Sequence, residues 1–123
     1  MTEAQAQATI FEWASLMERS MPELALLFHI PNGGKRDART AAILKRSGVK
    51  KGVPDLCLPV PKNGYHGLWI ELKVGQNQPT FDQKRWLNAL NRQGYLAKVC
   101  VGYSEAIQLI ADYLKGAMIN EID

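Results

Sequence analysis

Residues 52–73 read GVPDLCLPVPKNGYHGLWIELK. The stretch has the pattern of two strands joined by a tight turn, with Asn63-Gly64 as the hairpin signal. Strands are expected over 54–60 and 67–73, with Pro59 confining the first to an edge or distorting it. Side chains alternate across a strand, so Leu68, Ile70 and Leu72 take one face and Trp69, Glu71 and Lys73 the other. If the two strands pair, Asp55 stands on the neighbouring strand roughly 5 Å away. Two carboxylates so close repel each other and attract a divalent cation, and oxygen-only ligands favour Mg²⁺ or Mn²⁺. Such a cation polarises a phosphoryl oxygen and acidifies a water, while Lys73 orients that water or offsets charge. This is chemistry for hydrolysing a phosphodiester. The plainer alternative is a surface ion pair of Glu71 and Lys73 at a strand end, with Asp55 in a Pro-Asp turn.

Outward from the hairpin, residues 4–20 carry Ile10, Ala14, Met17 and Met21 at helical spacing, and Pro22 marks the end of that helix. LALLFHI (24–30) is read as a strand because PNGG follows at once. Residues 37–47 are expected to be helical with Ala41, Ala42, Ile43 and Leu44 inside and Gly48 past the end. A helix over 80–93, a strand over 95–101 and a helix over 104–114 capped by Ser104 complete the chain, with a frayed tail MINEID. The order α-β-α-β-β-α-β-α predicts an α/β fold, a small mixed sheet flanked by helices, in a single domain over residues 1–123.

With 46% apolar residues the chain has material for a core, and no apolar run reaches membrane-spanning length. An acid near the N-terminus, where a signal peptide would be basic, argues against secretion. Cys57 and Cys100 are read as buried thiols in a reducing cytoplasm. The net charge is only +3, yet residues 35–51 hold seven cations and one acid, +6, which leaves −3 for the remainder. A basic segment beside an acidic remainder suits a polyanion such as nucleic acid, although a solvated helix face has the same composition.

GVPDL followed by IELK after a hairpin resembles the PD-(D/E)xK nuclease superfamily, whose restriction-endonuclease-like fold matches the expected order. HIPNGGKR (29–36), LKRSGVKKGVPDLCLPVP (44–61), GYHGLWIELK (64–73) and QKRWLNALNRQGY (83–95) resemble one branch of it, the VRR-NUC family in its stand-alone, virus-type form. The similarity runs from about Glu3 to Leu114. It implies a Mg²⁺- or Mn²⁺-dependent DNA endonuclease, cytoplasmic, in a bacterial or phage setting. Its carboxylate pair falls on Asp55 and Glu71, its lysine on Lys73, and the carbonyl of Leu72 is implied as a further metal ligand. It also implies 5′-phosphate and 3′-hydroxyl products and a preference for branched DNA such as four-way junctions. A two-fold homodimer would place two sites for symmetric nicking. Flap cleavage, restriction-like cutting of duplex and a non-catalytic DNA-binding module remain as alternatives.

The family also uses a glutamate on the first helix and a glutamine on the helix after the ExK strand. Glu3 continues the stripe of Ile10 and Ala14 whereas Glu12 faces away, so Glu3 is the candidate, in support of the metal, with Gln7 beside it. A helix-dipole role at a frayed terminus is the alternative. Gln83 shares a stripe with Trp86, Leu87 and Leu90, but Thr80-Phe81-Asp82-Gln83 is also a capping box. For DNA contact the candidates are the loop Asn32, Gly33, Gly34, Lys35 and Arg36, then Arg39, Lys45, Arg46, Lys50 and Lys51. His29 is read as a packed histidine rather than a base.

Overall fold

The computed structural model describes residues 1–32 and 36–116. Helix α1 (Glu3–Met17) starts at Thr2, whose hydroxyl accepts from the Gln5 N–H while the Gln5 side chain accepts from the Thr2 N–H. Ala6, Ile10 and Ala14 are its buried stripe. The helix stops at Met17, short of the expected 20, where the N–H groups of Ser20 and Met21 both turn back to the Met17 carbonyl.

The expected strand over 24–30 is mostly something else. Pro22 opens a 3₁₀ turn, Pro22–Leu26, and only Phe28–His29 form a strand, β1. Three residues per turn put Leu24 and Leu27 in register, and both are buried. That gain holds the segment in a turn, and two residues are left to pair.

Helix α2 (Ala38–Arg46) has the expected extent, with Asp37 accepting from the Thr40 N–H at 2.7 Å. Its expected inward face is wrong. No residue of α2 is buried, and Ala41, Ala42 and Ile43 are exposed, with Leu44 half-buried. The core is built from α1, a later helix and the sheet, and α2 contributes no residue to it.

Strand β2 (Leu56–Leu58) runs antiparallel to β1 on one side and to β3 (Leu68–Lys73) on the other. The turn between them is Lys62–Tyr65, with Asn63 at φ 54° and Gly64 at φ 85°. Two successive positive φ values define a type I′ turn, which Asn-Gly adopts at least cost. Helix α3 (Phe81–Arg92) then returns the chain to β4 (Leu96–Val101), parallel to β3, giving the sheet order β1-β2-β3-β4. Helix α4 (Gly102–Lys115) begins two residues before Ser104. The Val101 N–H is satisfied by Glu105 Oε2 at 2.7 Å, so Ser104 is inside the first turn and caps nothing.

Leu68, Ile70 and Leu72 join Leu56, Leu58 and Leu96 with Ile10 of α1 and Ile110 of α4 in one core. At β4, the outer edge of the sheet, Asn91 of α3 accepts from the Ala97 N–H and donates to its carbonyl, both at 2.9 Å. This imitates a strand partner and blunts the edge. The architecture is the expected α/β arrangement in the expected order. No helix among the described residues is long and apolar enough to cross a membrane.

Candidate active site

Asp55 is placed by the proline before it. The ladder sets Leu56 opposite Ile70, so the next pair in phase would be Pro54 and Leu72. Proline has no N–H, and the ladder ends there. The Leu72 N–H donates instead to Asp55 Oδ2 at 2.7 Å. In a paired strand the N–H and C=O of one residue point to the same neighbour. The Leu72 carbonyl is therefore directed toward the Asp55 side, where Pro54 has no hydrogen to give it. On its other flank Asp55 offers its own carbonyl, which accepts from the Ile30 N–H at 2.8 Å and from His29 Nδ1–H at 2.9 Å. His29 is exposed rather than packed, and it anchors the aspartate through the main chain.

Glu71 follows Trp69 on the polar face of β3 and is 1% exposed; Lys73 is 7% exposed. Lys73 Nζ lies 3.5 Å from Glu71 Oε2. Glu71 Oε1 is buried without a hydrogen-bond partner, as is Trp69 Nε1. Burial above all, then the adjacent charge of Asp55, push the Glu71 carboxyl from 4.5 up to about 8, against the opposing pull of Lys73. A carboxyl so raised keeps its proton at neutral pH.

This donor set fits a hard divalent cation. Two carboxylates and a carbonyl are all oxygen, the ligand type that Mg²⁺ and Mn²⁺ take. A cation taking the place of the Glu71 proton would give the buried Oε1 a partner and offset the cost of a second negative charge beside Asp55. Among the described residues no three His, Cys, Asp or Glu side chains converge on one point. The remaining positions around a cation would fall to the carbonyl and to water, in the way Mg²⁺ is commonly held.

The other expected residues are distributed as follows. Glu3 is half-exposed in the first turn of α1, where its Oε2 accepts from Asn77 Nδ2 at 3.3 Å. That bond ties α1 to the loop after β3, and no motif or spacing in the sequence singles out Asn77 as its partner. Gln83 completes the capping box: its N–H donates to Thr80 Oγ1 at 3.2 Å and its Oε1 accepts from the Thr80 N–H at 2.8 Å. Asn32 donates to the Lys50 carbonyl, and Arg36 Nη2 donates to the Pro31 carbonyl at 3.0 Å. Asn32, Arg36, Lys45, Lys50 and Lys51 line one open groove of about 830 Å³. Arg39 and Arg46 are exposed on α2, away from its lining. Gly33, Gly34 and Lys35 lie outside the described residues, as does the tail expected to fray. Cys57 and Cys100 are buried free thiols, pushed up by burial to about 11 and about 12, so neither is a nucleophile.

The VRR-NUC domain profile matches residues 1–103. The chain belongs to the VRR-NUC family. A solved structure described as a VRR_NUC domain protein is similar to it at 32% identity and a TM-score of 0.81, over 98% of this chain and 93% of that one. No curated protein gave a significant match. The VRR-NUC fold of this chain is thus restriction-endonuclease-like, and membership makes it a nuclease-family domain, with DNA the partner that membership implies.

Proposed function

We propose that this VRR-NUC domain is a Mg²⁺- or Mn²⁺-dependent endonuclease that hydrolyses DNA phosphodiesters at Asp55, Glu71 and Lys73. The observation that carries the reading is Glu71 Oε1, buried and unpartnered beside Asp55, with an ammonium 3.5 Å from its sister oxygen. Asp55, Glu71 and the Leu72 carbonyl would hold the cation. When bound, it supplies charge for a phosphoryl oxygen and lowers the pKa of water.

The protein groups do the rest. Lys73, as an ammonium, has three donors and no acceptor. It orients the attacking water and offsets negative charge at phosphorus rather than taking a proton. Its burial strengthens both effects. The water oxygen bonds to phosphorus and gives up a proton to solvent, the bond to the 3′ oxygen breaks, and that oxygen takes a proton from solvent, leaving a 5′-phosphate and a 3′-hydroxyl. Glu3 and Gln83 act from the periphery, through the Asn77 loop and the start of α3. The groove of Asn32, Arg36, Lys45, Lys50 and Lys51 takes the phosphate backbone. Arg39 and Arg46 add charge along α2.

Branched DNA such as a four-way junction is the proposed substrate class, cut by a homodimer with one site per strand. A panel of junction, flap and linear duplex DNA in Mn²⁺ tests that choice. Lys73→Ala should lower the cleavage rate by about 10²–10³-fold with DNA affinity nearly unchanged. Wild-type protein that cuts none of these substrates in Mn²⁺ would leave only a DNA-binding module.

A further inference from the structure

A second basic surface adjoins the groove already described, shares Lys50, Lys51 and Asp82 with it, and continues onto α3. The loop before β2 passes the first turn of α3 at close range, and a glycine permits it. Gly52 has φ +91°, and a Cβ there would come within 2.5 Å of the Asp82 carbonyl carbon. This contact sets Lys50 and Lys51 against α3. Between loop and helix runs a trough of about 430 Å³, lined by Lys50, Lys51, Arg85 and Arg92 with one acid, Asp82, and the half-buried Trp86. All four cations are exposed, and among the described residues no carboxylate is within ion-pair distance of any of them. Arg85 rests 5.8 Å from the ring centre of Phe81, which orders its long side chain.

We infer that this trough binds the sugar-phosphate backbone of duplex DNA, with Arg85 and Arg92 of α3 as one wall and Lys50 and Lys51 as the other. The inference rests on the nuclease reading and deepens it by assigning α3 a place in DNA binding. Cations held apart from carboxylates on a two-walled surface remain available for an anion. Arg85 and Arg92 are separated by seven residues, about 10 Å along the helix, or roughly three steps of 3.4 Å along one DNA strand. Lys51 precedes Asp55 by four residues, so their Cα atoms are at most about 14 Å apart. The trough therefore adjoins the proposed cleavage site within a few base steps. Its lining offers one half-buried ring and no row of exposed aromatics, which favours a duplex backbone over stacked single-stranded bases.

The test is the salt dependence of affinity for a fluorescent duplex in EDTA, measured for wild type, R85A/R92A, R85K/R92K and K115A. Each phosphate contact contributes about −0.9 to the slope of log K against log salt. R85A/R92A should flatten the slope by about 1.8, seen as a roughly 12-fold smaller loss of affinity between about 50 and about 200 mM salt. R85K/R92K should restore it, and K115A, at the end of α4 on the apolar side of the sheet, should match wild type. An unchanged slope for R85A/R92A at an unchanged melting temperature overturns the inference, as does a failure of the lysine pair to restore it. Cleavage by wild type in Mn²⁺ is run alongside. If wild type neither binds nor cuts DNA, the nuclease reading itself has failed, whereas cutting with an insensitive slope removes only the trough.

Discussion

At the scale of single residues, the site is organised by two groups that the backbone rules would not otherwise tolerate. Pro54 ends a ladder and hands the Leu72 N–H to Asp55. Glu71 is buried with one oxygen unpartnered. The consequence for pH is definite. The Glu71 carboxyl is raised from 4.5 to about 8, so between those values the folded metal-free protein binds more protons than the unfolded chain. Stability without metal therefore falls as pH rises through that window and is greatest at its acid end. Melting of EDTA-treated protein at pH 5 and pH 8 should show the lower temperature at pH 8. Glu71→Gln should flatten the trend, and Mn²⁺ should raise stability most at pH 8, where removing the proton is easiest. The alternation of GLWIELK made Glu71 and Lys73 legible as neighbours on one face. The role of Pro54 was not legible, because it depends on a register that only the paired strands define.

At the scale of elements, reading succeeded where one pattern had no rival. The Asn-Gly turn, the apolar face of β3 and the cap of α3 at Thr80 are all as expected. It failed where local and tertiary demands diverged. LALLFHI has the composition of a strand, yet Pro22 and the burial of Leu24 and Leu27 make most of it a 3₁₀ turn. The apolar residues of α2 have helical spacing, yet none of them joins the core. Arg85 and Arg92 are hard to single out in the sequence because the cations of α3, Lys84 beside Arg85 and then Arg92, are spread over two turns, whereas residues 35–51 form a visible run. Gln83 is the element-scale ambiguity, since one side chain serves a cap and is proposed for the site. Thr80→Ala should cost about 1 kcal/mol of stability and leave the cleavage rate of the folded protein unchanged. Gln83→Ala should lose similar stability and also lower the rate. Equal rates for the two variants, measured by single-turnover cleavage below their melting temperatures, would make Gln83 a cap alone.

At the scale of the whole molecule, α1 and α4 close one face of the sheet. The polar end of β3 lies on its other face, near the basic loop and α3. That division explains how 123 residues with a net charge of only +3 can present a concentrated cationic surface. One domain of this size carries one proposed site, and symmetric cutting of a junction needs two. Sedimentation at working concentration should find a homodimer; a monomer would remove junction resolution and leave nicking intact. The central claim is that Asp55, Glu71 and Leu72 together hold a hard cation. Anomalous diffraction from a crystal soaked in Mn²⁺ tests it most directly. The account predicts a peak at coordination distance from the Asp55 and Glu71 carboxylates and the Leu72 carbonyl, with water completing the shell. Density confined to other positions, with Glu71 Oε1 still without a partner, would contradict it.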